Sequence, residues 1–159
     1  MLGQSSKHQR SRCRFQSRTM SRKNARETLY KLVFEYLFSR EINDQTEGLL
    51  LMDASLSEDD KEYIKGCYRG IAEHYDELVS YVVKYATGYS SVDRLVKGDL
   101  TAMLISSYEL VYLPELPASV SISEAVDLVK QFSTTKSSSF VNGVLASINR
   151  EVRDHGEDN

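Results

Sequence analysis

The sequence contains few residues that interrupt helices. Its 159 residues include two prolines and eight glycines, and no tryptophan. Proline and glycine are the least favourable residues inside a helix, so their scarcity favours an all-α fold. No apolar run approaches the roughly 18 residues that a membrane-spanning helix needs, so we expect a soluble protein.

The sequence also lacks a cysteine pattern. Its two cysteines, Cys13 and Cys67, stand far apart, one in a basic segment and one in an apolar helical stripe. Neither suits a disulfide framework or a thiolate metal site, which both need paired spacing. A reducing compartment fits this usage, and we predict that the protein is cytoplasmic.

Motifs that carry catalysis are missing as well. There is no glycine-rich phosphate loop and no His-Glu-x-x-His motif, and the three histidines, His8, His74 and His155, are scattered. The acidic run at 58–60 is explained by its place at a helix start, where negative charge is favourable. We therefore expect no enzyme activity, no cofactor and no metal.

Positive charge is concentrated at the N-terminal end. The net charge is −3, yet eight of the 20 basic residues and no acidic residue lie within residues 1–26. The remaining 12 basic residues are set against all 23 acidic ones. Any attraction to a polyanion must therefore be local.

The chain divides into an arm, one domain and a tail. Residues 1–20 are rich in Ser, Arg and Gln, and we predict that they are disordered because they bury too little apolar surface. Such a segment also fits a transit peptide, or an over-long reading frame ahead of Met20. We expect a helical domain at 21–153 and a frayed tail at 154–159.

Apolar spacing predicts about six or seven helices within that domain. We expect a long third helix that runs from a Ser57 cap to Gly88, and a later helix that begins at a capping box formed by Ser121 and Glu124. The other predicted segments are a helix at 22–39, a helix at 47–53, a turn at 93–97, a helix from Asp99 to the residue before Pro114, and a last helix from Phe140.

Several short motifs resemble the NusB family. Two segments together carry the resemblance, the opening SRKNARE at 21–27 and FVNGVL at 140–145. Between them, in matching order, lie DRL at 93–95, YEL at 108–110 and ISEAVDLVK at 122–130. The resemblance covers about residues 22–152 and implies two packed three-helix subdomains that bind boxA-type single-stranded RNA together with the ribosomal protein NusE, within the RNA polymerase antitermination complex.

The resemblance implies RNA contacts in two segments. Cations in the first turn of a helix oppose its dipole, so binding rather than helix stability is the expected reason for the basic opening. The implied contacts are Arg22, Lys23 and Arg26 in the first segment, and Lys136, Ser137, Phe140 and Asn142 in the second. The alternatives are a solvated basic helix end, and a buried Phe140 with local capping by Asn142.

The resemblance also implies a partner surface formed by Phe34, Asp93 and Asp99. An aromatic side chain with two acids suits a cationic ribosomal protein. Asp99 also stands where a helix N-cap is expected, and Phe34 could simply be buried. A homodimer remains an alternative, since an empty partner surface would expose apolar area.

Two other functions stay open at this point. The same helical module resembles the RNA-binding N-terminal domain of rRNA cytosine methyltransferases, although no cofactor-binding or catalytic cysteine motif follows it here. The chain could also be an interaction adaptor that binds no RNA.

Overall fold

The structure, a computed structural model, describes residues 22–89 and 91–154. Within these residues the regular structure is entirely helical, which confirms the predicted all-α class and helix number. The helices are α1 (22–39), α2 (Asp44–Leu50), α3 (Glu58–Glu73), α4 (Tyr75–Tyr85), a 3₁₀ turn (Val92–Arg94), α5 (Lys97–Tyr112), α6 (Ala118–Phe132) and α7 (Ser137–Val152).

Helix α5 forms the centre of the molecule. Nearly every residue from Gly98 to Leu110 is buried, as expected for a helix enclosed on all sides. It packs against α3, α4, α6 and α7. At the crossing with α3 the helices meet at Gly70, where a Cβ atom would lie 2.4 Å from the Tyr108 ring. A larger residue at position 70 would therefore force the Tyr108 ring to move.

The helices form two groups, one of α1, α2 and α3 and one of α4 to α7. In the first group, Arg22 of α1 pairs with Asp60 of α3, and Arg69 of α3 pairs with Glu47 of α2. In the second group, α5, α6 and α7 pack on one another, and α4 packs against α5 and α7. Tertiary contacts rather than isolated helix stability therefore hold the short helices in place.

Arg153 closes the second group. After the end of α7 its guanidinium donates four hydrogen bonds of 2.7–3.2 Å to backbone oxygens at and beyond the end of α5. The acceptors are the carbonyls of Glu109, Leu110, Leu113 and Leu116. The Glu109 and Leu113 carbonyls also accept from the backbone N–H groups of Leu113 and Leu116. Arg153 therefore adds donors at the end of α5, where the last carbonyls of a helix have few partners within the helix.

The predicted long third helix is interrupted. The Ser57 cap and its acidic first turn are confirmed, with Ser57 and Asp60 forming a capping box. However, α3 ends at Glu73 and α4 begins at Tyr75, because His74 leaves the helical conformation (φ −103°, ψ 22°) and stacks on Tyr112, with ring centroids 4.4 Å apart. The apolar pattern continues through both helices, so it could not reveal the break.

The predicted capping box at Ser121 was wrong. Helix α6 begins at Ala118, after Pro117, with no side-chain cap. Ser121 is instead buried, and its hydroxyl lies 2.8 Å from Ser106 Oγ and donates to Glu109 Oε1 at 3.0 Å. A residue suited to capping is used here for a contact between helices.

Some predictions fall outside the described residues. The disordered arm at 1–20 and residues 155–159 of the predicted frayed tail belong to this part of the chain. Among the residues that are described, no helix is long and apolar enough to cross a membrane.

Candidate nucleic-acid and partner surfaces

Arg22 and Lys23 lie at the start of α1. The Arg22 guanidinium stands 4.1 Å above the centre of the Tyr63 ring, and its Nε lies 3.3 Å from Asp60 Oδ1. One third of this side chain stays exposed. Lys23 is exposed and has no ion pair with a described residue. Both cations can therefore meet an anion in solution.

Arg26 occupies a different environment. It is buried, and its guanidinium donates to both Glu109 oxygens, with 2.9 Å between Nη2 and Oε2. Burial opposes its charge, but the Glu109 carboxylate together with nearby Tyr63 and Glu124 outweighs burial, so the pKa of Arg26 is raised. Since its donors face the core, we leave Arg26 out of the candidate RNA surface.

The Glu109 carboxylate gathers contacts from three other helices. Besides Arg26 of α1, Tyr63 of α3 donates to Oε2 at 2.8 Å and Ser121 of α6 donates to Oε1 at 3.0 Å. Burial and the nearby Glu109 charge raise the pKa of Tyr63 well above its usual value, so this phenol stays a donor. The hydrogen bond from its hydroxyl thus holds the Tyr63 ring, over which the Arg22 guanidinium lies, in place.

The second predicted segment surrounds the start of α7. Lys136 is exposed immediately ahead of the helix, and Ser137 is half-buried within hydrogen-bond distance of Thr134. Phe140 is partly buried, packs against the core and lies 5.4 Å from the Tyr89 ring. It thus combines a core contact with remaining exposure. Asn142, two residues further along α7, is exposed.

An open groove between α6 and α7 extends this segment. Asn142 contributes from α7, and both polar and aliphatic side chains contribute from α6. The α6 residues are Ser119, Ile122, Ser123, Val126, Asp127 and Lys130. Since the opposite side of α6 carries Ser121 towards the Arg26–Glu109 pair, this one helix lies between the two predicted RNA segments.

An aromatic patch, which we define as Phe34, Phe38 and Phe132, surrounds Tyr30. Phe34 is 38% exposed, Phe38 63% and Phe132 38%. The Tyr30 ring stacks on Phe132 at 4.8 Å and on Phe34 at 6.3 Å, while Phe38 packs edge-on against Phe34. The sequence identified Phe34 alone. Phe38 follows Phe34 by one helical turn, and Phe132 joins them from the end of α6.

Of the two predicted acids, only Asp93 faces solvent, on the 3₁₀ turn. Asp99 is 4% exposed, and its Oδ1 accepts from Ser133 Oγ at 2.7 Å. Burial together with the Asp99 charge raises the pKa of Tyr30 to about 12. The alternative N-cap role for Asp99 is also wrong, because α5 begins two residues earlier, at Lys97.

The sequence pattern of the NusB family matches residues 21–150. The chain belongs to the NusB family. The transcription antitermination protein NusB of Ruminiclostridium cellulolyticum is 38% identical over 131 residues, which cover 82% of this chain and 90% of that protein. The NusB protein of Acetivibrio thermocellus is 30% identical over 129 residues, covering 81% and 88%. The curated relatives thus carry the name of an antitermination protein, not of an enzyme.

Solved NusB structures share the fold. NusB of T. maritima matches with a TM-score of 0.74 and 27% identity, covering 87% of this chain and 97% of that one. A crystal structure of the antitermination factors NusB and NusE in complex with double-stranded RNA matches with a TM-score of 0.73 and 26% identity, covering 83% and 98%. These matches confirm the resemblance seen in the sequence.

The NusB motifs meet one another inside this structure. Arg26 belongs to the opening SRKNARE, Glu109 to YEL, and Ser121 directly precedes ISEAVDLVK. Although Arg26 and Glu109 stand 83 residues apart in sequence, the fold brings them into one buried cluster. Among the described residues, no group of histidine, cysteine and acidic side chains could hold a metal ion.

Proposed function

We propose that this chain is a cytoplasmic transcription antitermination factor. In this role it binds boxA-type single-stranded RNA together with NusE, within the RNA polymerase antitermination complex, and supports rRNA transcription. The names of its curated relatives and a structurally similar complex of NusB, NusE and RNA support the proposal.

The observation that carries the RNA part is the exposure of Arg22 and Lys23 at the start of α1. Helix dipole energetics do not favour cations there, yet the chain keeps them at the surface, with Arg22 supported by the Tyr63 ring. Phosphate contacts from a few cations supply most of the affinity in such binding. Arg22 and Lys23 therefore neutralise backbone phosphates.

The second segment supplies contacts of another kind. Lys136 adds an exposed cation, Phe140 is only partly buried, and the Asn142 amide is exposed. Unpaired bases are recognised by stacking on aromatic rings and by hydrogen bonds to their edges. The groove beside Asn142, which also contains Lys130, continues this surface along α6. The RNA strand follows α6 from one segment to the other.

The aromatic patch and Asp93 form the NusE surface. Aromatic side chains are enriched at the energetically important centres of interfaces, and three exposed phenylalanines stand together here. Asp93 adds an exposed negative charge, which suits a cationic ribosomal protein.

A titration tests the proposal. Fluorescent boxA-type RNA is titrated with the protein at two salt concentrations, with and without NusE, and a scrambled RNA is the control. We expect sequence-selective binding that weakens with salt and tightens with NusE. Equal affinity for both RNAs and no effect of NusE would contradict the antitermination role. Sedimentation of the free protein would show whether a second copy occupies the aromatic patch.

A further inference from the structure

Two consecutive residues at the end of α6 are held by two other helices. The Phe132 ring stacks on Tyr30 of α1 at 4.8 Å, and the Ser133 hydroxyl donates to Asp99 of α5 at 2.7 Å. The Tyr30 hydroxyl in turn donates to the Gly98 carbonyl at 3.0 Å. Side chains therefore fix the end of α6 to α1 and to the start of α5. One of them, Phe132, belongs to the aromatic patch.

The packing at this junction leaves little freedom. A Cβ atom on Gly98 would lie 2.9 Å from the Tyr30 hydroxyl and 3.3 Å from Ser133 Cβ. Asp99 is 4% exposed, so a cation on a partner protein cannot reach its carboxylate without moving Ser133. The buried Asp99 carboxylate thus accepts a hydrogen bond from Ser133 of the same chain and is not presented at the surface.

This junction lies close to the second RNA segment. Lys136 follows Ser133 by three positions in the sequence, a distance of at most about 11 Å. Helix α7, with Ser137, Phe140 and Asn142, begins directly afterwards. The hydrogen bond between Asp99 and Ser133 therefore sets where the segment starts.

We infer that Asp99 and Ser133 form a latch that couples the partner surface to the RNA segment. This inference rests on the proposed function. A partner that covers Phe34 and Phe132 stabilises their stacking on Tyr30, and this stacking fixes the end of α6. The hydrogen bond between Asp99 and Ser133 then fixes the position of Lys136 and the start of α7. Asp99 is thus a positioning residue and makes no direct contact with the partner.

Coupling of this kind is reciprocal, because two ligands must change each other's affinity by the same factor. If the latch carries the coupling, its loss reduces both the enhancement of RNA binding by NusE and the enhancement of NusE binding by RNA. A variant that is only less stable would, for its folded fraction, keep the same ratio between RNA affinity with NusE and RNA affinity without NusE. The enhancement factor is therefore the quantity to measure.

The test uses the full chain with the variants Ser133→Ala, Asp99→Ala and Asp99→Asn. RNA affinity is measured with and without saturating NusE, and NusE affinity with and without RNA. We expect Ser133→Ala and Asp99→Ala to lower the enhancement by about fivefold or more, within the usual range of coupling between sites. Asp99→Asn keeps the acceptor oxygen and retains the enhancement. Its NusE affinity without RNA also equals that of the wild type.

Ser147→Ala is the matched control, because it removes a hydroxyl that bonds to the Gly143 carbonyl on α7, away from the latch. An unchanged enhancement in Ser133→Ala would overturn the latch. Weaker NusE binding by Asp99→Asn would overturn it too and assign Asp99 to the partner contact. If the wild-type chain shows no RNA binding or no enhancement, the proposed function itself fails, which separates the two results.

Discussion

The Arg26 guanidinium and the Glu109 carboxylate form an ion pair inside the protein, with 2.9 Å between Nη2 and Oε2 and with side chains 4% and 1% exposed. Tyr63 and Ser121 satisfy the same carboxylate. The pair thereby joins α1, α3 and α6 to the central helix α5. An arginine predicted to bind RNA is part of the core.

Arg26→Ala should destabilise the fold strongly. Removing one partner of a buried pair leaves an uncompensated charge and costs about 3–5 kcal/mol in the free energy of unfolding. Urea denaturation measures this loss. Lys61→Ala serves as the control, because it removes a cation whose partner, Glu58, is 89% exposed. A loss below about 1 kcal/mol for Arg26→Ala, as for a surface pair, would contradict the burial of Arg26.

The double variant Arg22→Ala/Lys23→Ala should weaken RNA binding while the fold persists. Each phosphate contact to a single strand contributes a slope of about 0.7 to the dependence of log affinity on log salt, so the slope should fall by about 1.4. Affinity measured over a range of salt concentrations gives this value. Lys65→Ala is the matched control, because Lys65 is an exposed cation on α3 outside both surfaces. An unchanged slope in the double variant would remove these residues from the RNA surface.

Phe38→Ala should weaken NusE binding, although sequence patterns did not identify this residue. Its ring is 63% exposed beside Phe34 and lies under the Lys97 ammonium group, 5.4 Å from the ring centre. Aromatic residues at the centre of an interface commonly contribute about 2 kcal/mol or more. Calorimetry of NusE binding tests this. Leu49→Ala, at an exposed apolar residue of α2, should leave the affinity unchanged; equal losses in both variants would count against a specific patch.

The thiol of Cys67 should resist alkylation in the folded protein. Burial, with the Glu109 charge, raises the pKa of Cys67 to about 12, and only the thiolate is reactive. In a Cys13→Ser variant, iodoacetamide at pH 8 should react slowly until urea is added, as followed by mass spectrometry. The unfolded thiol ionises near pH 8.5 while the folded one keeps its proton, so this group lowers the free energy of unfolding as pH rises from about 8.5 towards 12. Rapid native alkylation would show that Cys67 is accessible.

Periodicity and short motifs predicted the fold well, because the apolar faces of α1, α3, α6 and α7 point towards one core. The errors arose where polar residues serve tertiary contacts. Ser121 and Asp99 both fit the local rules for helix caps, yet each is buried against a residue from another helix. The rules for helix caps compare residues that are close in the sequence, so they cannot include a hydrogen-bond partner from another helix.

The site was predicted in part for a similar reason. Lys23 and Lys136 are exposed and Arg22 is partly exposed, whereas Arg26 shares the sequence context of Arg22 and Lys23 but is buried. The signal that could have separated it was Glu109. Glu109 is the only charged residue between Leu100 and Tyr112, and an acid in such a stretch predicts a buried cation, since an unpaired buried carboxylate is costly.

The Arg153 contacts affect the order in which the molecule can be assembled. Helix α5 is the centre of the core, and the Leu110 carbonyl near its end accepts a hydrogen bond from Arg153, a residue that is synthesised after α6 and α7. A nascent chain that ends before Arg153 therefore contains helices α1 to α7 but lacks the hydrogen bonds that Arg153 donates at the end of α5. Shortening the chain by these few residues would loosen the middle of the protein first, and not the edge at which the cut was made.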